Sequence, residues 1–278
     1  GSENGAYARW QGERAGMTDG SSRDPEPEQR KAPGGKERLL LLPDADLLGL
    51  ATALAQSSAT GAVSAAQLPV DILDGIRQRI LRPGTVRRPL HPLLSASCRV
   101  TEMEVSDYRE KALTVGIVAD WASAQGLPSR HVLALEQAVD ELLLNALYDA
   151  PRDASGSPRY ASVSPADRVF LRALAGESAR VRFASDGVRV AVGVADFLGH
   201  LRRNTVLDYL IRCATAQARH ASPLEQKKSG AGVGLFLTAM AASELLFRLW
   251  RGRLTEIVFC QYLSRPRPLR VLLVDERL

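Results

Sequence analysis

The sequence predicts an α+β protein, on three observations. Strand-like and helix-like stretches alternate from Glu37, two long helical stretches fill the middle of the chain, and paired strands joined by turn dipeptides dominate its second half. The 278 residues are 45% hydrophobic and 24% charged, ordinary for one large globular domain or two small ones. A net charge of +5 suits phosphate-bearing ligands without singling out nucleic acid. Aromatics make up 5%, too few for a base-stacking platform, so nucleic-acid binding is not expected. Three basic clusters (Arg82, Arg87 and Arg88; Arg248, Arg251 and Arg253; Arg265, Arg267 and Arg270) read as solvated surface. Cys98, Cys213 and Cys260 follow no metal spacing and read as reduced thiols of a cytoplasmic protein. No signal-peptide pattern opens the chain, and no apolar run reaches bilayer length.

Residues 1–36 are rich in Gly, Glu, Arg, Ser and Pro, a composition that cannot offset the cost of ordering and predicts a disordered tail. From Glu37, ERLLLL reads as a strand, PDADLLGLATALAQ as a helix, TGAVSA as a strand, and 71–81 as a helix stopped by Pro83 and Gly84. Residues 37–99 thus read as a small α/β lobe. They bear a vague likeness to the closing part of a receiver domain, without its phosphoacceptor arrangement. A Pro-containing connection with room for a strand follows at 85–102. The stretch 106–125 reads as a helix with Ser106 as N-cap and Leu113, Ile117, Val118 and Trp121 as its apolar stripe. Gly126 to Pro128 stop it, and Ser129 caps the next helix, which includes EQAVDELLLNALYDAP up to Pro151.

A long Ser-, Pro- and Gly-rich insertion follows Pro151; such loops are usually functional or mobile. Residues 179–184 and 188–194 read as strands joined at Asp186 and Gly187, and 205–218 as a helix. A polar loop at 220–229 leads to GAGVGL, which opens a helix to about Ser243. Residues 244–250 and 254–263 pair around Arg251 and Gly252, and 270–274 is a short apolar strand.

Glu141, Asn145 and Asp149 are spaced i, i+4, i+8 and share one helical face amid Leu and Ala. Polar groups so placed are partly desolvated and call for a partner, such as a hard cation carried by a polyphosphate. The alternative is a solvated polar stripe. Asp196 followed by Gly199 closes a strand, where a plain turn is the alternative. Glycines at 230, 232 and 234 let backbone amides approach an anion at a helix N-terminus.

In this order, the three motifs resemble the GHKL superfamily of ATP-binding domains over roughly residues 100–263, with Thr255 standing where that superfamily places a Thr near the adenine. The helix ending in Gly-Leu-Pro followed by ALEQAVDELLLNAL looks most like the anti-sigma-factor serine kinases. The resemblance implies a two-layer α/β sandwich, a mixed sheet with helices on one face. It implies ATP or ADP with Mg²⁺: Asn145 on the metal, Glu141 orienting or deprotonating a nucleophile, and Asp196 accepting from the adenine amino group. Gly199 would let the backbone pass the base. Gly230, Gly232 and Gly234, followed by Leu235, would wrap the phosphates under a lid at 220–230. Lys227 or Lys228 would reach the terminal phosphate, with a solvated lysine pair as the alternative. Two departures stand out. The Asp box lacks one glycine, and Asp149, on the nucleotide face, stands where those kinases often carry a His.

Two functions follow as expectations. One is a serine/threonine kinase of the anti-sigma type acting on a protein partner, a signalling protein of the sigma-factor or anti-sigma-antagonist type. The other is a non-catalytic, nucleotide-gated regulator or scaffold. A homodimer is left open, and a histidine autokinase is disfavoured because none of the four histidines sits on a suitable helical hairpin. The C-terminal extension, 264–278, reads either as the first strand of a receiver domain, which would make the chain a fragment, or as an edge strand of the sheet.

Overall fold

The computed structural model describes residues 39–64, 90, 93–94, 98–164, 167–219, 233–264 and 268–277. The expected tail at 1–36, the helix at 71–81 and the loop at 220–230 lie outside them. The architecture is α+β, two layers, and among the described residues a mixed eight-stranded sheet carries five α-helices. The strands are β1 (Leu39–Leu42), β2 (Gly61–Ser64), β3 (Thr101–Val105), β4 (Ala179–Ser185), β5 (Arg189–Asp196), β6 (Glu244–Trp250), β7 (Leu254–Tyr262) and β8 (Val271–Arg277). The helices are α1 (Leu47–Ala55), α2 (Tyr108–Ala124), α3 (Ser129–Leu144), α4 (Arg203–Ala218) and α5 (Val233–Ala241).

The strand order is β1-β2-β8-β6-β7-β5-β4-β3. β1 runs parallel to β2, and β6 to β8; every other neighbouring pair is antiparallel. The strands of the 37–99 segment therefore extend the same sheet that holds β3 to β7. The expectation of an edge strand at the C-terminus is corrected: β8 lies inside the sheet, between β2 and β6. Its full burial over Val271–Val274 explains why the segment is apolar throughout rather than alternating.

Period-two alternation sorts the sheet's side chains. Val192, Val194, Leu245, Phe247, Ile257 and Phe259 point to one face, under the helices. Ala191, Leu246, Val258 and Leu273 point to the other, where Leu90, Leu93 and Leu94 cover them. Across the helical layer α2 packs on α3, α3 on α5, α5 on α4, and α4 on α1. Arg203, at the start of α4, donates to the carbonyls of Leu54 (2.8 Å), Ala59 (2.9 Å) and Val274 (3.0 Å). One guanidinium thus ties the end of α1, the turn before β2 and β8 to the start of α4.

Local details correct the expected boundaries. Asp107, not Ser106, caps α2, accepting from the Glu110 amide at 2.8 Å, while Glu110 reaches back to the Ser106 amide at 2.7 Å. Ser129 is already helical, and Pro128 before it supplies no side-chain cap. On α2, Leu113 is 64% exposed, whereas Lys111 is buried and paired with Asp140 of α3. The stripe shifted because a paired lysine took an interior position.

A row of charges crosses the face away from the helices. Glu104, Arg180, Ala195, Glu256, Arg248 and Asp275 stand in register across β3, β4, β5, β7, β6 and β8. Glu256 Oε2 meets Arg248 Nη1 at 2.9 Å, and its Oε1 meets Arg182 Nη1 at 3.1 Å. Arg182 reaches it over Gly193, where a Cβ would lie 3.6 Å from Glu256 Oε1. Arg248, expected on solvated surface, is 2% exposed, because its carboxylate partners lie on neighbouring strands.

Candidate functional site

α3 does not simply stop at its C-terminal end. Its last turn widens into a π-turn, Asn145–Asp149, closed by the Ala150 amide donating to the Asn145 carbonyl at 2.8 Å. Pro151 has no amide to continue the ladder. Such π-turns recur at functional sites, and this one carries Asn145 and Asp149 to the wall of a cavity of about 300 Å³. The floor is the sheet, through Val194, Asp196, Thr255 and Ile257; the remaining wall comes from His200, Leu201, Thr205 and Leu235.

Five of the residues singled out from sequence thus line one cavity: Asn145, Asp149, Asp196, Leu235 and Thr255. Asp196 ends β5 in register with Thr255 of β7, so the two side chains share the helical face. Its Oδ1 accepts from the amides of Leu198 (3.0 Å) and Gly199 (3.1 Å), and Thr255 adds a side-chain hydrogen bond. Asp196 is 5% exposed. Burial pushes its carboxyl above the usual aspartate range, against those hydrogen bonds and the charge of His200. Burial also raises Asp149, opposed by Arg168 and Arg152.

Glu141 stands outside the cavity lining. It lies one turn earlier on α3, against the first turn of α5. A Cβ on Gly234 would come within 2.6 Å of Glu141 Oε2, so only glycine lets α5 start there. Burial raises the Glu141 carboxyl above its ordinary range, the Asp140 charge adds to this, and Lys111 opposes it. Gly199 has φ +61°, and a Cβ there would lie 2.2 Å from the Trp250 carbonyl oxygen. Its space is taken by the β6–β7 turn, whose Gly252 amide donates to the Gly199 carbonyl at 3.0 Å. Lys227, Gly230 and Gly232 lie outside the described residues.

Arg152, His200, Leu201 and Thr205 line the cavity but were not singled out from sequence. Arg152 opens the irregular insertion, and its only signal was the Pro151 before it. The insertion folds back on the π-turn: Tyr160 meets the Tyr148 ring edge-on at 6.2 Å, and Arg168 stands over the same ring, 3.9 Å from Asp149. Among the described residues there is no group of three or more His, Cys, Asp or Glu that could hold a metal ion by itself. A magnesium ion that keeps waters and phosphate oxygens asks for only one or two protein oxygens, which Asn145 and Asp149 fit.

No protein-family model and no curated protein matches the chain. Among solved structures, a chain of the SiaB-SiaC complex from Pseudomonas aeruginosa is similar at 14% identity, over 69% of this chain and 99% of that chain, with a TM-score of 0.41. No helix of the described residues is long and apolar enough to cross a membrane.

Proposed function

We propose that this chain is a Mg-ATP-binding signalling protein of the GHKL kind, and that the cavity at the end of α3 is its nucleotide site. The observation that carries this reading is the convergence of Asn145, Asp149, Asp196, Leu235 and Thr255, far apart in sequence, on one cavity. Its volume is at the lower end of small-molecule sites. At the sheet end, a buried carboxylate and a hydroxyl match the donor and acceptor edge of a purine. At the π-turn, amide and carboxylate oxygens match a phosphate-borne Mg²⁺, which when bound would neutralise the phosphate charge. The chain would signal through a protein partner.

Isothermal titration with ATP and ADP in the presence of Mg²⁺ tests this. Binding is expected in the wild type and lost when Asn145→Ala and Asp196→Ala are combined, with the circular dichroism unchanged. No heat of binding in the wild type would end the proposal.

Phosphate transfer to a serine or threonine of the partner, with Glu141 as base, is the finer form of this reading. The nucleotide-gated regulator is the alternative, and the seat of Glu141 against Gly234, outside the cavity lining, favours it. Labelled ATP separates the two: transfer abolished by Glu141→Gln supports the kinase, and background counts on the partner with the wild type support the regulator.

A further inference from the structure

We propose that Arg152 grips the ligand's phosphate chain, so that this cavity selects a nucleoside polyphosphate over a nucleoside. The inference rests on the nucleotide reading of the cavity and assigns a residue that the motifs do not contain.

The cavity is polar at two places of opposite character. Asp196 and Thr255 form the hydrogen-bonding end at the sheet, and Arg152 and Asp149 stand at the π-turn. Of these, Arg152 is the cation in the cavity lining, and its charge acts on Asp149. Among the described residues its guanidinium makes no hydrogen bond or ion pair. The carboxylate beside it, Asp149, has Arg168 at 3.9 Å. Two guanidiniums, Arg168 and Arg152, thus act on the one carboxylate of the π-turn, so this end of the cavity is locally positive, while the carboxylate of Asp196 stands at the sheet end.

The backbone of Arg152 is braced as a binding residue needs. It bridges to Pro158, and its carbonyl accepts from Arg159 Nη2 at 2.8 Å. Arg159 is held in turn by Glu177, with Nη1 to Oε2 at 2.6 Å. A planar guanidinium on a fixed backbone suits bidentate contact with phosphate oxygens. The insertion after α3 thereby acquires a task in ligand choice.

The test is calorimetric titration of the full chain with adenosine, AMP, ADP and ATP, for the wild type, Arg152→Gln and Arg152→Lys. Arg152→Gln is expected to weaken ADP and ATP at least about tenfold while adenosine stays within about twofold, and Arg152→Lys to recover part of the loss. Adenosine falling in step with ADP would reduce Arg152 to a loop brace and overturn the inference. Unchanged ADP binding in Arg152→Gln would overturn it as well. A wild type that binds none of the four defeats the nucleotide reading itself, and this inference with it.

Discussion

Two carboxylates stand one residue apart across the β5–β7 pairing and face opposite ways. Asp196, opposite Thr255, faces the cavity under the helices; Glu256, opposite Ala195, faces the other side of the sheet. Both are withdrawn from water, at 5% and 1% exposure. Glu256 is met by Arg248 and Arg182, one on each oxygen. Asp196 has no cation at ion-pair distance among the described residues; amides and a hydroxyl hold it. The difference separates two uses of a buried charge. The matched charge is satisfied within the sheet, whereas under the proposed function the unmatched one would meet a ligand.

The largest effect is expected from breaking the matched side. Glu256→Ala takes the carboxylate from two guanidiniums and is expected to lower unfolding free energy by about 3–5 kcal/mol, read by urea denaturation. A loss below about 1 kcal/mol would mean that the row is ornamental to the fold. Asp196→Asn keeps an acceptor for the Leu198 and Gly199 amides but removes the charge. It is expected to weaken adenine-nucleotide binding about 10- to 100-fold without lowering stability. Destabilisation comparable to that of Glu256→Ala would erase the contrast.

A pH series sharpens it. Burial holds the folded-state pKa of Asp196 above its unfolded value, so the folded chain binds the extra proton between the two. The stability this group contributes is complete below the unfolded pKa, near ~4, and is lost as pH rises through the folded one. Asp196→Asn is therefore expected to gain stability relative to the wild type as pH is raised from about 4 to 7; a loss relative to the wild type over that range would contradict the assignment. The smallest effect is expected at Asp149, whose pair with Arg168 is partly exposed. Arg168→Ala is expected to cost less than about 1 kcal/mol, and an NMR titration is expected to find the Asp149 carboxyl shifted further up.

What could be read in advance was local. The helix period placed Asn145 and Asp149 on one face and the Asp186-Gly187 turn joined β4 to β5, whereas Gly234, read as an approach to phosphate, stands against Glu141. What could not be read depended on partners far along the chain. Arg248 looked like its solvated neighbours Arg251 and Arg253 until Glu256 and Asp275 came alongside. Leu113 outranked Lys111 as a core candidate until Asp140 neutralised the lysine. Arg152 was hidden in a segment whose composition speaks only of turns. Ser106 and Asp107 are both good caps, and only the hydrogen bonds of Glu110 decide between them.

The placement of β8 bears on how the chain comes together during synthesis. Among the described strands, β1 and β2 reach the rest of the sheet through β8, where Gly61 waits for Leu273. A chain made from its N-terminus onward holds β1 and β2 with one flank unsatisfied until the last strand of the sheet is made. Closure of such distant pairings is slow, and an unpaired strand flank meanwhile invites wrong partners. Chaperone dependence during expression, relieved when Gly61 to Ser64 can pair, would be the physiological face of that topology.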